Sequence, residues 1–493
     1  MIRKKPIVLA ALLLGSALIL LLFAGASPLY PTNPWVDANC FHTVARGIVN
    51  GMVPYRDLME QKGPLLYFLH VPAVWISPHG YFGVYLLEVL AMALFLYISW
   101  RTIALFVGEK WWPLLLVTAV LLVSSRAFVW GDCAEELSAP LLAWSLYDAM
   151  RYFSDPERRM TRGCLLRNGL FAGCLFWIKF SLLGLHFAWM AVIAIECVAR
   201  ERCIGNALRM CLLFLCGMAL PAVPWLIYFG TKGALGELWQ IYFVQNTTAY
   251  SAGRSAIVNA GVGLFGGSAV NPLFGIPVLG GCAYLILACR CEGGLWRRIS
   301  LAAMLGCAAL AIYSGGRQNG YYYYIFACFA PLGCVPFARG VEALRNRKGI
   351  RFARLAAGAA ALCLCAAGAL ISHNLPVLGY PREELAQTQF AELMAETPDA
   401  TLLNFGFLDG GFYLAADAQP VSRWFCRLLV SSGDCYAEQS ELVERGAVDY
   451  VVTRDLLLED LDLEALPYVQ IAEQTERFNW KDAGSVYYLY RKS

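Results

Sequence analysis

Apolar runs long enough to cross a bilayer recur along the first three-quarters of this chain. They lie at 7–26, 82–106, 111–125, 137–152, 170–178, 182–198, 210–229, 272–289, 299–313, 322–337 and 355–371. About 20 apolar residues in a helix cover roughly 30 Å of hydrocarbon. Backbone in lipid must satisfy its own hydrogen bonds, so each run is expected to be helical, the shorter ones tilted or re-entrant. The expected fold class is a polytopic α-helical membrane protein with about 11 transmembrane helices. The run at 7–26 follows Arg3-Lys4-Lys5 and is longer than the core of a signal peptide, about 7–15 residues, so it reads as a retained signal anchor. Composition agrees: 59% of residues are hydrophobic and 15% charged, against about 45–50% and about 25% in soluble domains. Disorder, a coiled coil and an ordinary cytosolic enzyme are excluded.

Charge orients the chain. With the N-terminus inside, the inner loops carry 22 Lys and Arg and the outer loops 8. The positive-inside rule then predicts N-in and, for an odd number of spans, C-out. Charge also divides the sequence: residues 1–372 carry a net +14, and 373–493 a net −11. The expected domains are a transmembrane part, 1–372, with a functional outer loop at 27–81, and an extracytoplasmic soluble α/β domain at 373–493. The positive charge is scattered over short loops, which argues against nucleic acid. The expected location is the plasma (cell) membrane, in contact with its lipids.

In 373–493, a helix is expected from Pro381 to Glu396 and another from Glu438 to Arg445, ending at Gly446. Strands are expected at 401–407, 450–453 and 486–490. Most of the 18 cysteines sit in apolar runs as small hydrophobes, and no zinc-site spacing occurs. Cys426 and Cys435, in the exported part, are either a disulfide or two buried thiols.

The inner loops are short and basic, whereas the outer stretches 27–81 and 231–271 are long, so function is expected outside. The densest constellation follows the first span: Asn33-Pro34-Trp35-Val36-Asp37, Ala45-Arg46-Gly47, Gly51-Met52-Val53-Pro54-Tyr55-Arg56-Asp57 and Gln61-Lys62-Gly63-Pro64-Leu65. This order resembles the first extracytoplasmic loop of the protein O-mannosyltransferase and aminoarabinose-transferase-like glycosyltransferases of the C superfamily. Those are multi-spanning enzymes that take a sugar from a polyprenyl phosphate. Ala38 departs from the pattern, since many members carry Asp-Glu where this chain has Asp37-Ala38.

The resemblance implies a polyprenyl-phosphate-linked sugar as donor and a lipid, glycan or protein as acceptor, with inversion at the anomeric carbon. Such a transfer needs a carboxylate to take the acceptor's proton and positive charge on the phosphate leaving group. Asp37 is the expected base; its bland reading is a helix N-cap. Asp57 either orients the acceptor or holds a turn. Lys62 either meets phosphate or snorkels at the interface. Lys179 lies at the outer end of a span and Arg317 on the Gly-rich segment 314–320; the resemblance makes both phosphate ligands. Glu135 and Glu136, with Asp132, sit where the family often has an acid at the cavity mouth, or else are a solvated loop. Tyr322, Tyr323 and Tyr324 line the cavity or form an interfacial aromatic belt. No cofactor is assigned; a divalent metal is admitted without named ligands. The Gly-rich stretch 261–267 lacks the Lys-Ser/Thr of a nucleotide loop.

Two other readings stand against the transferase. A transporter or flippase of lipid-linked sugars would show paired repeats and several intramembrane charges, of which Glu88 is the single clear example. A scaffold with an exported interaction domain leaves the first-loop constellation unexplained. The orientation is directly testable. Ser493→Cys should react with an impermeant maleimide in intact cells or spheroplasts, and labelling only after lysis would overturn it.

Overall fold

The computed structural model describes residues 5–155, 157, 160–248, 253–289, 294–428, 433–476 and 484–493. Arg3, Lys4, Arg158, Arg159 and Arg290, which are among the 22 inner basic residues counted above, lie outside the described residues, as do Cys291 and the stretch 429–432 between Cys426 and Cys435. Among the described residues, seven helices are long and apolar enough to cross a membrane: Lys5–Phe23, Phe82–Val107, Phe180–Glu201, Ile204–Thr231, Gly294–Tyr313, Gly320–Lys348 and Ile350–Ile371. The four remaining apolar runs are also helical but fall short by length or charge. Leu114–Val123 and Arg162–Phe176 are short, and Pro272–Ala288 changes to a π-helical turn at Tyr284. Ala134–Ser154 is long enough but carries Glu135, Glu136, Asp148 and Arg151. Large apolar side chains such as Leu355, Leu362 and Leu370 face outward on Ile350–Ile371, as lipid permits and water does not.

Contacts divide the chain into two compact units. The first comprises Met1–Phe23, Glu88–Trp225 and Tyr250–Ser372. Its helices approach closely where glycine removes a side chain. A Cβ on Gly169 would collide with the Phe214 carbonyl, and one on Gly217 with the Leu166 carbonyl, so Arg162–Phe176 and Ile204–Ala219 pack backbone to backbone. The Gly-rich stretch that begins at Gly261 is helical, and Gly263 and Gly267 lie under the Tyr313 and Tyr323 rings.

The second unit comprises Ala24–Leu87, Leu226–Ala249 and His373–Ser493. The stretch 27–81, expected as an outer loop, and the C-terminal segment 373–493 fall in this same unit. The described residues of 231–271, expected as an outer loop, are largely helical, with a π-helical Leu238–Gln245. In the C-terminal segment, β1 (Leu402–Asn404), β2 (Tyr450–Arg454), β3 (Tyr468–Glu476) and β4 (Ser485–Lys492) form one sheet in the order β1-β2-β4-β3. β1 and β2 are parallel, and the other pairs antiparallel. Leu403, Phe405, Val443, Val448, Val451, Leu458, Tyr468 and Tyr490 form its core. β3 was missed because it alternates irregularly, with Glu473 and Gln474 breaking its apolar face. The helix expected from Pro381 to Glu396 is an α-helix only over Ala386–Met394, preceded by a single 3-10 turn at Arg382–Glu384.

Glu476 closes β3 with a buried carboxyl, and the Gln387 amide donates to it at 3.4 Å. Burial pushes its pKa from 4.5 up to about 7, with the Gln387 bond opposing. Below about pH 4.5 both folded and unfolded states hold this proton; between 4.5 and 7 only the folded state does. Stability therefore falls as pH rises through that window, by on the order of 3 kcal/mol once complete. Glu476→Gln should unfold at a higher temperature than wild type at pH 8 and at nearly the same temperature at pH 4.5. Equal shifts at both pH values would contradict the linkage.

Candidate active site

Asp37 occupies the first turn of the helix Val36–Val49, whose N-cap is Trp35 and has no side-chain cap bond. Asp37 is thus one position inside the helix and is not its cap. The entry is shaped by Asn33, whose Oδ1 accepts the Trp35 N–H at 3.0 Å. A carboxylate here faces the positive end of the helix dipole. Its oxygen lies 3.7 Å from Lys62 Nζ, and Lys62 Nζ lies 3.6 Å from Glu60 Oε1. Lys62 also stands over the Phe41 ring at 5.3 Å.

The backbone that carries Lys62 is held on every side. Its N–H donates to Glu60 Oε2 at 2.9 Å, and its carbonyl accepts from Tyr55 at 2.6 Å and Tyr67 at 3.0 Å. Tyr67 also donates to Glu60. Asn246 Nδ2, just past the π-helical turn, donates to the Gln61 carbonyl at 2.7 Å. Tyr55 is fully buried at a φ of 70°, a left-handed conformation that is costly for an aromatic residue. Its hydroxyl bond and the Phe229 ring at 5.5 Å keep it there. Glu60, Tyr67 and Asn246 were not singled out in the sequence. The available signal was one acid, Glu60, placed two residues before Lys62.

Asp57 is fully engaged. Its carboxylate accepts the Val53 N–H at 2.7 Å and is gripped by Arg56 at 2.8 and 2.9 Å, which holds its pKa below the usual carboxylate range. Arg56 in turn donates to the Lys232 carbonyl at 2.9 Å. These contacts favour the turn reading of Asp57.

The other candidates cluster in the first unit. Glu135 is buried and pairs with Lys179 Nζ at 2.6 Å, and Lys179 stands 3.8 Å from the Tyr322 ring centre and 5.4 Å from that of Tyr321. The Asp132 N–H donates to Glu136 Oε2 at 2.7 Å and to Glu88 Oε1 at 3.0 Å. Glu88 is therefore one member of an acidic group, and Asp132, Glu135 and Glu136 are buried and not a solvated loop. The turn before them is strained: Val129 and Asp132 have φ of 56° and 57°, and a Cβ on Gly131 would collide with Glu88. Tyr324 is buried against Phe128, and Tyr323 shares a 2.5 Å bond with Ser268. These three tyrosines are packed side chains, which excludes an exposed interfacial belt. Arg317 is half-buried beside Gly316, in the loop ahead of Tyr321. Among the described residues, no three His, Cys, Asp or Glu side chains are arranged to hold a metal ion.

The Glu135–Lys179 pair can be tested by a double-mutant cycle. Lys179→Met alone should cost about 3–5 kcal/mol, because it strands a buried carboxylate; adding Glu135→Gln should recover most of this. Additive losses in thermal unfolding would show that the two charges do not depend on each other.

Two solved structures align with nearly the whole chain. A crystal structure of ArnT from Cupriavidus metallidurans bound to undecaprenyl phosphate matches with a TM-score of 0.63 at 14% identity, covering 98% of this chain and 97% of that one. ArnT from the same organism in the apo state matches with a TM-score of 0.60 at 15% identity, over 98% and 97%. No protein-family model and no curated protein matches the sequence. From end to end, this chain has the fold of the aminoarabinose transferase ArnT.

Proposed function

We propose that the protein is an integral membrane glycosyltransferase. It moves a sugar from a polyprenyl-phosphate donor to a hydroxyl on a lipid, glycan or protein acceptor at the outer membrane face. The observation that carries this is the Asp37–Lys62 pair, a carboxylate and an ammonium 3.7 Å apart. It occurs in a chain whose fold matches ArnT bound to undecaprenyl phosphate. Asp37 takes the acceptor's proton, the acceptor oxygen forms a bond to the anomeric carbon, and the carbon–phosphate oxygen bond breaks on the opposite side. Lys62 meets the negative charge that collects on the departing phosphate. Glu60, Tyr55 and Tyr67 hold Lys62 in place and take no part in proton transfer. Asp57, bound to Arg56 and Val53, is second in line as base. Lys179 and Arg317 are proposed as donor ligands from the resemblance and from their place in the sequence.

Asp37→Asn keeps the side-chain shape, and Trp35 remains the helix cap. It should lower sugar transfer from undecaprenyl-phosphate-linked hexoses or pentoses by about 10²–10⁴-fold. Binding of undecaprenyl phosphate, followed by tryptophan fluorescence, should be little changed. Lys62→Ala, Lys179→Ala and Arg317→Ala should each weaken that binding by about 10- to 150-fold. Transfer by Asp37→Asn within about threefold of wild type would place the base elsewhere. Unchanged binding in all three cation variants would refute the phosphate assignment.

A further inference from the structure

One face of the helix that carries Asp37 is buried against the C-terminal segment of the same unit. Asn39 Nδ2 donates to the Asp409 carbonyl at 3.3 Å, and Thr43 Oγ1 to Asp409 Oδ2 at 2.6 Å. Arg46 donates to the Tyr413 carbonyl at 2.9 Å and pairs with Asp417 at 2.5 Å. Cys40 lies within this face. Its Sγ is 3.6 Å from Cys426 Sγ, across 386 residues of sequence, and both side chains are buried. Cys435, which the sequence offered either as a disulfide partner of Cys426 or as a second buried thiol, turns its thiol to the Cys426 carbonyl at 3.9 Å.

We infer that Cys40 and Cys426 are a covalent cross-linking site, joined as a disulfide in the exported protein. The pair would fasten the catalytic helix, one turn beyond Asp37, to the C-terminal segment. The two sulfurs are already in van der Waals contact, so the bond at about 2.05 Å needs an approach of little more than 1.5 Å. The polar contacts on both sides of Cys40 fix the register of the two segments. The closed loop is very long, and long loops restrict the unfolded chain most.

The reaction is thiol–disulfide exchange with an exported oxidant disulfide, the class that an oxidising exterior supplies. Two thiols and one oxidant disulfide give one protein disulfide and two oxidant thiols; the protein's two protons end on the oxidant. Burial pushes both thiols up, Cys40 strongly, so few thiolates exist once the unit has closed. Exchange therefore belongs to the folding chain, and the same burial afterwards shields the bond from reductants.

The inference rests on the proposed outward orientation, and the test separates the two. Cells are quenched with N-ethylmaleimide under denaturing conditions, and the full-length protein is digested without reductant. Mass spectrometry should then find a peptide pair linking Cys40 to Cys426 in most of the protein. That pair should vanish in Cys40→Ser and in Cys426→Ser and persist in Cys435→Ser. In parallel, Ser493→Cys is challenged with an impermeant maleimide in spheroplasts. Labelling of Ser493→Cys with Cys40 and Cys426 both recovered alkylated would overturn the cross-link and leave the orientation standing. Failure of Ser493→Cys to label would overturn the orientation and the cross-link with it. A Cys426–Cys435 pair would overturn the assignment of partners.

Discussion

Lys62 is the ion around which the candidate site is organised. An ammonium withdrawn from water costs several kcal/mol unless carboxylates replace its hydration. Glu60 and Asp37 do so, at 3.6 and 3.7 Å. Much local geometry follows from this demand. Glu60 must be buried beside the lysine, so its second oxygen takes the Lys62 N–H and the Tyr67 hydroxyl. The Lys62 carbonyl then faces the two tyrosines, one of which is kept in a left-handed conformation to reach it. A buried polar network is stable only when its members are satisfied, and here three separate backbone stretches contribute to that.

The same requirement explains what the sequence made legible and what it did not. Apolar runs are local, so each of the eleven expected runs contains helix among the described residues, and seven of these helices are long and apolar enough to cross a membrane. The motif from Asn33 to Leu65 was visible because its residues are close in sequence. Asp37 was expected as a base or as a helix N-cap; it lies in the first turn of its helix, and the N-cap is Trp35, which makes no side-chain cap bond. Contacts across hundreds of residues leave no local trace. Nothing in the neighbourhood of Asp409 indicates that Thr43 will donate to it, or that its carboxyl will be buried and pushed up in pKa. Nothing near Cys426 points to Cys40. The assembly of 24–87, 226–249 and 373–493 into one unit is invisible to charge counting for that reason.

Strain marks both candidate regions. Tyr55 in one unit, and Val129 and Asp132 in the other, hold positive φ while packed among buried polar groups. Each such residue costs on the order of 1–3 kcal/mol and persists only where its surroundings over-determine it. At 129–132 the surroundings are Glu88 and Glu136, which converge on one N–H. Gly131 leaves the space in which Glu88 sits. Such conformations preserve side-chain positions at the expense of stability, and that exchange suits a site better than a scaffold.

Under the proposed chemistry, the Asp37–Lys62 pair couples proton transfer to departure of the phosphate. While Asp37 is ionised, the lysine charge is shared between two carboxylates, and the group of three carries a net negative charge. A phosphate diester then gains less from Lys62 than it would from an unpaired ammonium, since part of the attraction is offset by Asp37 and Glu60. When Asp37 takes the acceptor's proton, one carboxylate is neutralised and the net charge of the group rises to zero. Lys62 becomes more available as the leaving group gains its second negative charge. Stabilisation that appears only in the transition state accelerates the step instead of merely tightening ground-state binding. Asp37→Asn would then have two opposing effects, losing the base while giving Lys62 more freedom to hold a phosphate. Undecaprenyl phosphate should bind that variant at least as tightly as it binds wild type. A drop in its affinity would mean that Asp37 supports the phosphate by some route other than through Lys62.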